Sequence, residues 1–299
     1  MMVFALGVFA ALFLGLGWVL QQRIAAHAAV SELLSLRLLL HLAHKPVWWA
    51  GIAAMVTGQI LGAVALRFGA VSLVEPLLST NLLFAFLIAT VLARGRVRWY
   101  EVGGAALLSA ALGVFIEIGR PKPSTGPLPP AWAVVLTAAV LAAVAAGLIT
   151  AGKRGSLPAE AVLIATAAGV LYGFEDAGTR GALLSMHRGG VLGLLDSPWP
   201  YLVVTSAIIS ISFMQSAFGA ARLDLSLPPT AAAEPVTGVL IGVGLLGGTL
   251  ATSPGALAVQ AVCLTAMLAA VVIIGRSHPI SGAPAEHLRA VSERTESDP

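Results

Sequence analysis

Uncharged apolar segments of ~20 residues recur along this chain of 299 residues, from Met2 to Ile274. A helix of ~20 apolar residues is long enough to cross the ~30 Å hydrocarbon core of a bilayer. Hydrophobic residues make up 58% of the chain and charged residues only 10%, and the mean hydropathy is +0.92. Water-soluble domains do not have this composition. The sequence therefore predicts an all-α integral membrane protein, and it excludes a soluble enzyme, a disordered chain and a nucleic-acid-binding module.

Nine segments have the length and composition of transmembrane helices. In chain order they are spans one to nine: Met2–Leu20, Val47–Phe68, Ala70–Leu92, Tyr100–Ile118, Ala131–Thr150, Ala159–Gly178, Tyr201–Ala221, Ala231–Leu250 and Gly255–Ile274. The segment Ala28–Leu42 is apolar but short and contains Glu32, Arg37 and His41, so it is either an interfacial helix or a tenth span. The predicted fold is a polytopic membrane helical bundle of nine spans, or ten.

The basic residues give the bundle an orientation. Twelve Lys and Arg follow the odd-numbered spans, whereas five lie on the other side. Because basic loops remain in the cytoplasm, the C-terminus is predicted inside, and with nine spans the N-terminus is outside. We expect a protein of the cell (inner) membrane, surrounded by the lipid bilayer, with residues 276–299 as a flexible cytoplasmic tail. The single cysteine, Cys263, excludes an intrachain disulfide.

Two parts of the chain share a polar pattern. Gln59 in span two is followed by Glu75-Pro76 in span three, and Gln215 in span seven is followed by Glu234-Pro235 in span eight. Span three runs inward and span eight outward, so the two copies have opposite orientations. Such inverted repeats are typical of secondary transporters, in which the substrate binds at the repeat interface. The predicted halves are residues 2–119, with an interfacial segment at 25–45, and residues 131–275.

The same stretches resemble a known family. The motifs are Pro46-Val47-Trp48-Trp49-Ala50-Gly51, Gly58-Gln59 and Phe68-Gly69-Ala70-Val71-Ser72-Leu73-Val74-Glu75-Pro76-Leu77, with Gly15-Leu16-Gly17 and Gln21-Gln22-Arg23 in span one. They are similar to NIPA-type magnesium transporters, a branch of the drug/metabolite transporter (DMT) superfamily that includes EamA proteins, and the likeness covers most of residues 2–275. The resemblance implies a pseudo-repeated helical carrier, with magnesium or another divalent cation as its substrate. Unlike the family pattern, this chain has Gln59 in place of Glu, and Glu75 and Glu234 in place of Thr before proline.

Glu75 and Glu234 are the main candidates for binding the substrate or a metal ion. An ionisable side chain within a span costs at least ~2.5 kcal/mol on insertion scales, so acids in spans usually have a function. The proline after each glutamate removes a helical hydrogen bond and favours a kink, which leaves backbone carbonyl groups in need of partners. A carboxylate beside such a kink can bind a cation or exchange a proton. The structural alternative is a paired carboxylate that only holds two helices together.

Polar residues near these acids complete the predicted ion pathway. Gln59 and Gln215 can orient a hydrated cation, or they can simply join helices by hydrogen bonds. Ser79 lies four residues after Glu75 on the same helix face, and Asn81 follows Ser79 by two residues. The alternative for these short polar side chains is hydrogen bonding within their own helix.

Glu175 lies near the predicted outer end of span six and is the last member of the pathway. It is followed by Asp176, and Arg180 lies four residues after Asp176, a spacing at which an acid and a base pair along a helix. Glu175 is therefore either a cation or proton relay at the outer mouth, or part of a solvated charged group at the interface.

The sequence leaves three functions open. The first is a secondary transporter that moves a divalent cation such as magnesium by alternating access, and the second is a proton-coupled exporter of a small metabolite or drug in which the same glutamates titrate. The third is a membrane scaffold without cargo. We expect no enzymatic activity, no cofactor and no nucleic-acid partner; the oligomeric state stays open, with a homodimer as one option.

Overall fold

The computed structural model describes residues 2–28, 32–68, 74, 77–78, 80–92, 99–120 and 127–275. The main elements of this part of the chain are α-helices, which confirms the predicted all-α class. They are α1 (Met2–Ala25), α2 (Leu36–Ala43), α3 (Pro46–Phe68), α4 (Asn81–Leu92), α5 (Trp99–Gly119), α6 (Ala131–Gly152), α7 (Leu157–Leu195), α8 (Trp199–Ala220), α9 (Leu223–Gly244) and α10 (Pro254–Gly275).

Seven helices in the described part of the chain are long and apolar enough to cross a bilayer. They are α1, α3, α5, α6, α7, α8 and α10. The apolar helix α4 has 12 residues, and α9 has 22 residues that include three prolines together with Asp224 and Glu234. The protein is therefore a membrane-embedded helical bundle. The count of nine spans stays a prediction, because it depends on α4, α9 and the residues around α4 that lie outside the described part.

The segment between α1 and α3 contains only a short helix. α2 has 8 residues, or ~12 Å at 1.5 Å per residue, which is less than half of the hydrocarbon thickness. Its Leu38 and Leu42 are fully buried, and it packs against α8 and α3. These dimensions favour the interfacial helix over a tenth span.

Glycines bring the helices of each predicted half into close contact. α1 packs against α3 and α4, and α7 packs against α8 and α9. A Cβ added at Gly15 of α1 would lie 2.7 Å from the carbonyl oxygen of Asn81 on α4, and one at Gly173 of α7 would lie 2.3 Å from that of Glu234 on α9. Because real Cβ atoms essentially never approach within 3.0 Å of another heavy atom, these crossings require glycine.

The two predicted halves share one hydrophobic core. α5 packs against α10, and α1 packs against α8, so helices of the first half touch helices of the second. The largest cluster of buried side chains contains Val19 and Leu82 from the first half together with Met214 and Met267 from the second. The halves are thus packed against each other and do not form separate bundles.

α7 continues well beyond predicted span six, which ends at Gly178. The helix runs from Leu157 to Leu195 with one break at Gly190, where φ is 62° and ψ is −155°, a backbone conformation that favours glycine. The 33 residues from Leu157 to Gly189 are ~50 Å long, against ~30 Å for a bilayer core. Residues around position 175 therefore lie near the middle of this helix, far from either end.

Candidate functional site

Polar side chains from three helices meet near the middle of those helices. Glu175 lies near the centre of the unbroken part of α7, Ser210 at the centre of α8 and Glu234 at the centre of α9. The Ser210 hydroxyl donates a hydrogen bond of 2.5 Å to Glu175 Oε1, and Tyr172 lies close to Ser210 and to both glutamates. Asp176 and Glu175 both lie close enough to Glu234 for their carboxylates to repel that of Glu234 when they are charged. We call Tyr172, Glu175, Ser210 and Glu234 the mid-helix cluster.

Small residues on α7 and α8 give the mid-helix cluster its position. Gly169 and Gly173 form a Gly-x-x-x-Gly pattern on α7, and a Cβ at either one would lie within 2.6 Å of a backbone oxygen of α9. On the neighbouring helix α8, Ser206 and Ser210 lie one turn apart and face α7, since Ser206 Oγ donates to the carbonyl oxygen of Leu171 at 3.4 Å. Such residues let helix backbones approach closely. The short Cβ distances to α9 and the serine contacts therefore bring α7 against both of its neighbours.

The helix α9 carries Glu234 and contains three prolines. Pro228, Pro229 and Pro235 have no N–H group, so each removes one helical hydrogen bond, yet α9 continues through all three positions. Thr230 Oγ1 donates to the carbonyl oxygen of Ala165 on α7 at 2.8 Å and ties the two helices together. The predicted Glu-Pro pair is therefore present in a helix that remains continuous, next to the helix that supplies Glu175.

The chemistry of the mid-helix cluster is that of oxygen atoms in an apolar bundle. Glu175 and Glu234 are half-buried, and two carboxylates held together in an apolar bundle are costly unless a cation offsets their charge. Carboxylate and hydroxyl oxygens suit protons and hard cations such as magnesium. No group of three or more His, Cys, Asp and Glu placed to hold a metal ion occurs among the described residues. The cluster can thus supply two carboxylates and two hydroxyls to a cation, and the cation's other ligands would have to come from water or substrate.

Two of the predicted pathway residues belong to the mid-helix cluster. Glu234 is one of its carboxylates. Glu175 is the other; α7 extends to Leu195, so Glu175 lies near the helix centre and not near the helix end as predicted, while its place at the outer mouth stays a prediction. Its hydrogen-bond partner is Ser210 on another helix.

The two matched glutamines have different environments. Gln215 is 1% exposed, and its amide Nε2 donates to Gln21 Oε1 on α1. Gln21 Nε2 in turn points to the sulfur of Met55 on α3 at 2.9 Å. Gln59, by contrast, is exposed on α3. The buried partner of Gln215 is therefore Gln21, a residue that the sequence analysis placed only within a family motif.

The remaining predicted residues lie elsewhere or outside the described part of the chain. Glu75 and Ser79 are outside it, so the pairing of Glu75 with Glu234 stays a prediction, as does the tail at 276–299. Asn81 is half-buried at the start of α4, and its carbonyl oxygen lies against Gly15 of α1.

Sequence reasoning missed Tyr172 and Ser210. A signal for Ser210 was present, since Ser206 and Ser210 recur one turn apart within an apolar helix and so share a face. No comparable signal marked Tyr172, whose role depends on how closely α7 and α8 approach each other.

The fold and the mid-helix cluster together define a membrane-embedded helical bundle with a half-buried acidic site. The chain is 30% identical over 239 residues to a protein of Corynebacterium glutamicum described as uncharacterized, and the alignment covers 79% of this chain and 82% of the relative. The chain therefore belongs to the same family as that protein. No family model and no solved structure matches it.

Proposed function

We propose that the chain is a secondary transporter that moves a divalent cation such as magnesium by alternating access. The observation that carries this proposal is the mid-helix cluster, in which the carboxylates of Glu175 and Glu234 and the hydroxyls of Tyr172 and Ser210 meet within a membrane bundle. Ionisable residues at such depth usually mark an ion pathway. Magnesium commonly binds through one or two carboxylates while it keeps several of its waters.

Helix directions support the inverted repeat that alternating access requires. Successive glycines of α1 meet, in the same order, Leu77 just before α4 and Asn81 at its start, so these helices run in the same direction, and α7 and α9 are related in the same way. The contacts are Gly7 with Leu77, Gly15 with Asn81, Gly169 with Thr230 and Gly173 with Glu234. In the predicted topology α1 runs inward and α7 outward. The two parallel pairs then have opposite orientations, as expected for halves that rock about a site between them.

The proposal is tested with purified protein in liposomes that contain a magnesium-sensitive dye. We expect magnesium uptake by the unmodified protein and its loss in Glu175→Gln and in Glu234→Gln, because glutamine keeps the shape of the side chain but removes its charge. Glu117→Gln is the matched control, since Glu117 is exposed near the end of α5. Uptake no faster than in empty liposomes, or equal uptake in all three variants, would contradict the proposal.

A proton-coupled exporter of a small organic solute is the second candidate. It is favoured by the hydroxyl groups of the cluster, because the Glu175 carboxyl accepts a 2.5 Å hydrogen bond from Ser210 and has Tyr172 nearby, and such groups can pass a proton. The same liposomes with a pH-sensitive dye and the organic cation tetraphenylphosphonium separate the two candidates. Proton release that depends on the organic cation, without magnesium uptake, would favour the exporter; neither flux would favour a scaffold.

A further inference from the structure

Side chains from opposite halves meet on one side of the mid-helix cluster. Gln215 of α8 donates to Gln21 of α1, and both side chains are buried. One turn away on each helix, Trp18 packs edge-on against Phe218, with ring centroids 6.1 Å apart and planes at 68°. We call these four residues the inter-half seam, because α1 belongs to the first predicted half and α8 to the second.

The inter-half seam lies between the mid-helix cluster and the end of the bundle that carries α2. Gln215 follows Ser210 by five residues, which is ~7–8 Å along α8, and α8 ends five residues later at Ala220. Beyond the seam, the Leu34 N–H donates to Ser216 Oγ at 2.8 Å and thereby joins the α1–α3 connection to α8. A solute at Ser210 could reach that end along this seam only if α1 and α8 separated.

At the opposite end of the bundle no comparable contact occurs among the described residues, which leave out positions 69–73, 75, 76 and 79 after the end of α3. In the proposed repeat, α7 corresponds to α1 and α3 corresponds to α8. Among the described residues, α1 packs against α8, whereas the corresponding helices α7 and α3 make at most marginal contact with each other. In the part of α3 nearest that opposite end, Ile60 and Phe68 are 58% and 56% exposed. Among the described residues, the contact between the two halves is therefore closer at the α2 end.

The seam also retains an unsatisfied polar atom. Gln215 Oε1 is buried and has no hydrogen-bond partner among the described residues. A buried acceptor without a donor destabilises the arrangement that contains it, and separation of α1 from α8 would expose this atom to water. The unsatisfied acceptor therefore raises the free energy of the closed seam, and opening would remove this cost. A gate with two accessible states requires such a small difference between them.

We propose that Gln21 and Gln215 form the latch of a gate that closes the α2 end of the transport route, and that this structure has the gate shut. The inference rests on the proposed function, because a gate implies a transport route. It concerns the contact that breaks when the route opens, and it is independent of the identity of the cargo.

Cross-linking tests whether the seam must open. In a Cys263→Ser background, Gln21→Cys and Gln215→Cys are bridged with a short bis-thiosulfonate reagent. We expect magnesium uptake to fall at least ~10-fold on bridging and to recover with reductant, since the shut state would then be locked. The control pair is Gln21→Cys with Met55→Cys, which are neighbours within the first half. Unchanged uptake in the bridged Gln21/Gln215 pair, or equal loss in both pairs, would overturn the latch.

Thiol accessibility tests the latch without any cargo. Ser210→Cys in the Cys263→Ser background is exposed to a membrane-impermeant thiol reagent from each side. From the α2 side, Gln21→Ala or Gln215→Ala should speed labelling by ~2- to 10-fold, the shift expected when a two-state equilibrium loses one side-chain hydrogen bond. Gln215→Asn, a milder change that shortens the amide's reach, should act in the same direction and guards against loss of the fold. Labelling rates that do not change would overturn the latch, whereas changed labelling without magnesium uptake would overturn only the proposed cargo.

Discussion

Replacement of Gly173 by alanine should push α7 away from α9 and displace Glu234. The added Cβ would lie 2.3 Å from the Glu234 carbonyl oxygen and 2.7 Å from both Gly238 N and Thr237 Cβ. Ordinary contacts of this kind begin at 3.4 Å, so the helices must part by about 1 Å. Two of these atoms belong to the backbone and the third is a Cβ, so none of them can rotate away. Overpacking of this type costs ~1–3 kcal/mol.

Two measurements check this prediction. Thermal unfolding of Gly173→Ala in detergent should show a lower midpoint than the unmodified protein, and magnesium uptake in liposomes should slow by at least ~10-fold, because a displacement of ~1 Å at a binding group has effects of that size or more. The control is Gly242→Ala, further along α9, where an added Cβ meets nothing within 4 Å. This variant should be as stable as the unmodified protein or slightly more so, since alanine favours a helix over glycine by ~0.8–1.0 kcal/mol.

The reasoning is refuted if Gly173→Ala and Gly242→Ala have the same unfolding midpoint and the same uptake rate. Lower stability with unchanged uptake would support the close contact of α7 with α9 but contradict a role of Glu234 in transport.

Three further substitutions probe the site and its surroundings. Ser210→Ala removes the donor to Glu175 and should slow uptake, whereas Ser210→Thr keeps a hydroxyl and should retain most of it; equal rates for both would argue against the hydrogen bond. Gln59→Leu should leave uptake and the unfolding midpoint unchanged, because Gln59 is exposed. A large loss of uptake would instead indicate that Gln59 is part of the ion pathway. Thr230→Val removes the hydroxyl that donates to Ala165 and should lower stability by ~0.5–1.5 kcal/mol in chemical unfolding, with no change expected if that bond is absent.

Hydropathy located helices well where an apolar run coincides with the helix. Predicted span Ala131–Thr150 corresponds to α6, Ala131–Gly152, and predicted span Gly255–Ile274 corresponds to α10, Pro254–Gly275. It failed at the end of span six, because charged residues after Gly178 lower the hydropathy but do not interrupt helical hydrogen bonds. The helix instead continues until Gly190, where the backbone changes direction. Glu175 lies near the centre of α7, and not near its end, because the helix continues beyond Gly178.

The candidate site was only partly predictable from the sequence. The Glu-Pro pair drew attention to Glu234 because an acid within an apolar segment is costly unless it has a partner. Matching Gln59 with Gln215 compared positions along the chain, but burial depends on how each helix is rotated about its axis, and sequence order does not contain that angle. Ser210 was missed because a serine in an apolar helix commonly bonds to its own backbone, and only the neighbouring helix provides Glu175 as an acceptor.

The reversal at Gly190 forms a small hairpin that a binding reagent could recognise. Gly181 lies against Trp199 at the start of α8, so residues 182–198 project past that point. Within this hairpin Gly193 lies against Ser185, and the Tyr201 hydroxyl donates to the carbonyl oxygen of Leu195 at 3.0 Å. A chain of 30.5 kDa in a detergent micelle is difficult to align in electron cryomicroscopy images. An antibody fragment raised against this small hairpin would add an asymmetric landmark at a place remote from the mid-helix cluster.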